Sequence, residues 1–288
     1  MAAEPELVAD VACHTGENPL WHPDEGCLYW VDIPPGRLYR FDPATGRHEL
    51  CLDAGCAIGG FTLQADGALL LFMARGAVKS WHEGKLTTLI HSLPDELDNR
   101  FNDVIADPEG RVFCGTMSPP DRPGRLYRLD PDLSLTTVFD GIGTSNGMGF
   151  TPDRKCMYYT DSRTRRIDLC AYDQATGALS SRRTFADVPE SGGTPDGMTV
   201  DAEGRVWGAR WGGSRLVRYT SDGQLERTIA FPCPKVSSVV FGGPDHADLY
   251  VTTAGGHERA TEGPAAGSLF RLRAGVRGVP EFRSRIGL

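Results

Sequence analysis

DPEGRVFCGTM, residues 107–117, returns further along the chain as DAEGRVWGARW, residues 201–211. Each copy is a short polar turn, rich in Asp, Glu, Gly and Pro, followed by a short strand with apolar residues. Looser copies stand at HPDEGCLYWVD (22–32), QADGALLLFMA (64–74), TPDRKCMYYTD (151–161) and GPDHADLYVTT (243–253). With the second residue of each as a marker, Pro23, Ala65, Pro108, Pro152, Ala202 and Pro244 are spaced by 42, 43, 44, 50 and 42 residues. That is the period of a four-stranded propeller blade.

The residues between markers complete the blade. RLYRFDP (37–43), its counterparts at 125–131 and 215–220, and SLFRLRA from Ser268 alternate apolar with polar residues, as a strand with one buried face does. A third strand follows, as in KLTTLIHS (85–92) and LERTIAF (225–231), and a fourth precedes each marker, as in FNDVIAD (101–107) and VSSVVFGG (236–243). The expectation is an all-β, six-bladed propeller of four-stranded antiparallel blades in a single domain, 1–288. The blades are expected at 14–53, 57–92, 100–140, 144–188, 194–232 and 236–288, the last completed by 5–13. The C-terminal tail RGVPEFRS (277–284) offers only a weak outer strand, so the N-terminal PELVADVAC (5–13) is expected to close the ring and cover its open edge.

Composition agrees with many short elements. The chain has 288 residues with 35 glycines and 20 prolines, which excludes long helical bundles. The longest apolar run, 68–74, is far short of the ~20 residues of a membrane helix. MAAEPELVAD has neither the basic start nor the apolar stretch of a secretory signal. A soluble, cytoplasmic protein is expected, with eight scattered cysteines kept as thiols. A net charge of −8 argues against nucleic acid as a partner. No membrane partner is expected either, and the chain should be a monomer or weak homodimer. Arg163, Arg165, Arg166, Arg182 and Arg183 read as solvated loop charge.

Innermost strands of a propeller run side by side around a channel, so equivalent repeat positions form rings. Six residues before the markers stand Glu17, Gly59, Asn102, Asn146, Asp196 and Ser238. A single Asn or Asp there has a turn-forming reading; four amide or carboxylate side chains at one offset point to a site. Carboxylates sharing a channel repel unless something positive lies between them. Glu17, Asp196 and the amide oxygen of Asn146 make a hard oxygen set for one divalent cation, best suited to calcium, with zinc, manganese or ferrous iron possible.

GENPLW (16–21), NRFND (99–103), SNGMGF (145–150), PDGM (195–198) and FGGPDHADLYVTTA (241–254) resemble, in order and over essentially the whole chain, the SMP-30/gluconolactonase family. The resemblance implies a six-bladed propeller with one catalytic divalent metal, bound here by Glu17, Asn146 and Asp196. It implies substrate contacts from Arg100 and Asn102, with Asp103 beside them, and a lid at SPPDRPG (118–124). The implied reaction is hydrolysis of an aldonolactone to its open acid, with the metal as Lewis acid and Asp196 as general base. The short, proline-rich lid leaves the sugar unidentified. Alternatives are a non-catalytic metal-binding propeller and a related phosphotriesterase-type hydrolase.

Gly143, Ser145 and Gly147 spell the G-x-S-x-G of serine hydrolases, but that motif needs a helix after it and a strand is expected here. His14 and His22 lie off the ring register. Trp21, Trp30 and Trp207 read as blade core, and Trp211, near the channel mouth, as a surface for stacking on a sugar.

Overall fold

Each marker turn joins two antiparallel strands, and each repeat adds two more outward, giving six four-stranded sheets. In blade 3 these are Arg100–Ala106, Val112–Met117, Gly124–Leu129 and Leu135–Ile142. A computed structural model of the chain describes residues 4–117, 119 and 122–288. Six clusters of buried apolar side chains lie one between each pair of neighbouring blades. Trp30 and Trp207 are among the largest fully buried side chains, and Trp21 is 5% exposed, so all three are blade core. All eight cysteines are free. Among the described residues no helix is long and apolar enough to cross a membrane.

The sixth blade closes as expected at its outer edge. Glu6–Ala9 pairs antiparallel with Leu269–Arg273, setting Glu6 opposite Arg271 and Leu7 opposite Phe270. Arg271 Nη2 reaches Glu6 Oε2 at 2.8 Å.

The tail 277–284 is not an outer strand. With the edge already filled, and Gly278 and Pro280 breaking any alternation, it crosses the end of the channel where the marker turns lie. Ala202 N–H donates to Arg277 O (2.9 Å), Gly278 N–H to His246 O (2.8 Å) and Ser284 N–H to Leu63 O (2.9 Å). Just beyond it, Arg285 N–H donates to Gly110 O (2.8 Å), so turns of blades 5, 6, 2 and 3 are all engaged. Phe282 meets blade 4 edge-on at Phe150, with centroids 5.9 Å apart.

What positions the site is a fault repeated in every inner strand. Pairing register shifts between Glu17 and Leu20, Ile58 and Gly60, Phe101 and Val104, Asn146 and Met148, Pro195 and Met198, and Val236 and Ser238. A bulge leaves a residue unpaired and re-aims its side chain. All six fall at the ring found from the repeat or directly beside it: Gly59, Asn102 and Asp196 lie within the shift, and Glu17, Asn146 and Ser238 border it.

Candidate active site at the channel mouth

Opposite the tail, a cavity of about 320 Å³ opens among the inner strands, lined by Glu17, Arg100, Asn102, Asn146 and Asp196. The structure thus brings all five expected site residues together. Thr15, Thr144, Thr194, Ile33, Met117, Ser162 and Trp211 complete the wall. A cavity of about 370 Å³ at the other end has a mostly apolar lining and one acid, Glu281, whose carboxyl burial pushes up to about 7. It lacks the convergent polar groups of the mouth cavity.

Asp32 and Asp161, each ending the second strand of its blade, hold the loops that carry two of these residues. Asp161 Oδ2 and Oδ1 accept from the Gly143 and Thr144 N–H groups, both at 3.0 Å. In blade 1, Asp32 accepts from His14 N–H (3.1 Å) and Thr15 N–H (2.9 Å) in the same way. Two residues further along each strand come Asn146 and Glu17. Asn146 Nδ2 donates to Ser162 Oγ at 3.0 Å, and Ser162 uses its own proton on Pro195 O at 2.7 Å. That chain fixes which way the amide faces and leaves Asn146 Oδ1 buried without a partner among the described residues. An orphaned buried acceptor is costly unless something fills the place.

Charge makes the same demand. Glu17, Asp103 and Asp196 are 4%, 8% and 6% exposed. Burial, reinforced by the Asp196 and Asp103 charges, raises the Glu17 carboxyl well above the usual range. Asp196 is raised likewise by burial and Asp103, while Asn146, Arg100 and Arg210 oppose the shift. Burial pushes Asp103 up to about 7 against the pull of Arg100. Arg100, itself pushed down by burial, is the shared counter-charge of all three acids. Three carboxyls with Arg100 shared among them and Arg210 acting on Asp196 still leave an excess negative charge, which a cation would relieve. Among the described residues no three His, Cys, Asp or Glu side chains form a metal-like group. The donor set is instead two carboxylates and the unpartnered amide oxygen, which fits a hard divalent cation.

Arg100 Nη1 donates to Asn102 Oδ1 (2.6 Å) and Phe101 O (2.9 Å), and Asn102 Nδ2 donates to Ser145 O (2.7 Å). Asn102 is therefore tied at both ends and steers the guanidinium. Glycine follows three of the ring positions, at Gly60, Gly147 and Gly197, because the inner strands nearly touch. A Cβ on Gly147 would lie 2.6 Å from Asp196 O, and one on Gly197 would lie 2.1 Å from Ser238 Oγ.

The family model described as SMP-30/Gluconolactonase/LRE-like region matches residues 15–255. The chain belongs to the SMP-30/gluconolactonase family. It is 49% identical over 288 residues to the pentonolactonase XacC of Haloferax volcanii, covering 98% of both chains. It is 36% identical to regucalcin of Xenopus laevis, covering 95% of this chain and 96% of that one. Among solved structures, the calcium-binding protein regucalcin of Agrobacterium tumefaciens superposes with a TM-score of 0.90 at 27% identity, over 99% of this chain and 98% of the other.

The other motifs take structural places in this family member. Ser145 is wholly buried, its Oγ has no partner among the described residues, and the motif runs into the strand Ser145–Phe150 rather than a helix. No histidine lines the mouth cavity to activate it. His14 is exposed and packs on His257, with ring centroids 4.3 Å apart, while His22 is buried. Trp211 does reach the cavity; Lys235 Nζ lies 5.5 Å from its ring centroid and is held at 2.7 Å by Glu262. Arg165 is not simply solvated. It donates to Val188 O, Pro189 O and Gly193 O, because carbonyls on the approach to the next blade need donors. Arg182 likewise pairs with Asp168 at 2.6 Å. Of the expected lid, Ser118, Pro120 and Asp121 lie outside the described residues. Asp103, only a neighbour within NRFND in the sequence, proves to be a third buried carboxyl, outside the mouth cavity's lining but close enough to raise Glu17 and Asp196.

Proposed function

We propose that this protein hydrolyses a sugar lactone to its aldonic acid, using one divalent cation, calcium first, held by Glu17, Asn146 and Asp196. The carrying observation is the Asn146 oxygen, without a partner among the described residues, set with two buried carboxylates in a cavity of about 320 Å³. The pentonolactonase relative supports a five-carbon aldonolactone as the first substrate to try.

When bound, the cation would supply Lewis acidity to the lactone carbonyl and offset the negative charge that develops there. Asp196 accepts a proton from the attacking water as the new C–O bond forms. The ring C–O bond then breaks, and that proton passes to the departing ring oxygen, giving the hydroxy acid. Arg100, aimed by Asn102, binds hydroxyls of the sugar and fixes its carbonyl for attack. Trp211 offers an apolar face along the cavity wall. The same reading has the protein cytoplasmic, a monomer or weak homodimer, with no nucleic-acid or membrane partner.

Ring opening should be assayed over five- and six-membered aldonolactones with calcium, zinc, manganese and ferrous iron. Hydrolysis that stops on chelation and returns with metal is expected. Activity retained after verified metal loss would remove the cation from the reaction. No hydrolysis across the panel would leave a non-catalytic metal-binding propeller, and turnover of phosphotriesters alone would favour the phosphotriesterase-type alternative.

A further inference from the structure

The register that places the ring repeats one step nearer the mouth. Eight residues before the markers stand Thr15, Ala57, Arg100, Thr144, Thr194 and Val236. Residues two apart on a strand share a face, so this tier should line the wall just above Glu17, Asn102, Asn146 and Asp196. The cavity is indeed lined by Thr15, Arg100, Thr144 and Thr194, and by neither Ala57 nor Val236. Threonine is a good strand former and needs no function to occur there. Yet valine has the same shape and serves blade 6, whereas blades 1, 4 and 5 all carry the hydroxyl.

Two of the three are placed alike. Thr15 and Thr144 belong to blades 1 and 4, opposite members of a ring of six, and each is anchored through its N–H to the aspartate ending the next strand. Both are partly exposed to the cavity, and neither hydroxyl makes a hydrogen bond to a described residue. Thr194 Oγ1 accepts from Arg165 Nη1 at 3.3 Å, which leaves its proton to donate. A hydroxyl both donates and accepts, so it can pair with a sugar hydroxyl in either sense.

We propose that Thr15, Thr144 and Thr194 form a tier of hydroxyls that reads the ring hydroxyls of the lactone and so sets which epimers are accepted. This rests on the lactonase reading of the same cavity. A site built to pair with a substrate hydroxyl discriminates against the analogue lacking it. The substrate class is therefore a polyhydroxylated lactone, in preference to an unsubstituted one such as γ-butyrolactone.

The test is kcat and KM for Thr15→Val, Thr144→Val and Thr194→Val over aldonolactone epimers, singly deoxygenated lactones and γ-butyrolactone. Each variant should lose about threefold to tenfold in kcat/KM on hydroxylated lactones, mainly through KM. Each should match the wild type on the one deoxy lactone that lacks its partner hydroxyl and on γ-butyrolactone. The corresponding Thr→Ser variants should recover the loss, with melting temperatures unchanged throughout. Valine variants that leave every lactone unaffected, or that weaken γ-butyrolactone as much as the sugars, overturn the assignment. A wild type that opens no lactone removes the underlying reading, and this one with it, before any variant is compared.

Discussion

Blades 4 and 2 share the same four-strand plan, yet at matching positions blade 4 carries Thr144, Asn146 and Asp161 where blade 2 carries Ala57, Gly59 and Ala74. The contrast is steric before it is chemical. A Cβ on Gly59 would lie 1.9 Å from Phe101 O, because the inner strand of blade 3 presses on that point. In blade 4 the tight approach falls one residue later, at Gly147, and Asn146 is free to carry a side chain. Six equivalent places are available in the ring; backbone proximity removes one, and an aspartate at the end of the second strand steadies two of the others.

The largest effect should separate ring positions that carry a ligand-type side chain from those that do not. Asp196→Asn is expected to lower kcat by about 10²–10⁴-fold, the range for losing a general base, while Ser238→Ala, at the matching place in blade 6, changes it less than about twofold. Steady-state kinetics on proteins with matched melting curves would show it; an equal loss in both would erase the distinction. Next comes the steric claim itself. Gly59→Ala should cost about 2–3 kcal/mol by overpacking, read as a lower urea midpoint at constant slope, and an unshifted midpoint would mean the strands can part. The smallest effect concerns the anchoring acid. Asp161→Ala strands the Gly143, Thr144 and Arg163 N–H groups, for a loss of about 1–2 kcal/mol. If the proposed cation binds, the calcium concentration needed to raise the melting temperature should increase with it, and an unchanged calcium dependence would separate the anchor from the proposed cation site.

Much of this was legible beforehand. The marker turns, spaced by 42 to 50 residues, announce the blades, and counting back from them reaches Glu17, Asn102, Asn146 and Asp196. Such a count works because a propeller repeats one unit, so equal sequence offsets become equal places in space. The pattern of 5–13 already assigns the outer edge to the N-terminus, but the course of the tail across the channel end is not legible, because its partners at Ala202, His246, Leu63 and Gly110 come from four different blades. Arg165 looked like loop charge because its acceptors, Val188, Pro189 and Gly193, lie more than twenty residues away.

Sequence alone determined the period, the strand alternation and the ring register, all of which are local and repeat along the chain. Tertiary structure decided the rest: that Ser162 turns the Asn146 amide, that Asp103 joins the buried acids around Arg100, and that blade 2 has no room for a ligand. Those outcomes depend on the close approach of segments far apart in sequence, where a few tenths of an ångström separate a contact from a clash. No periodicity in the chain encodes such distances.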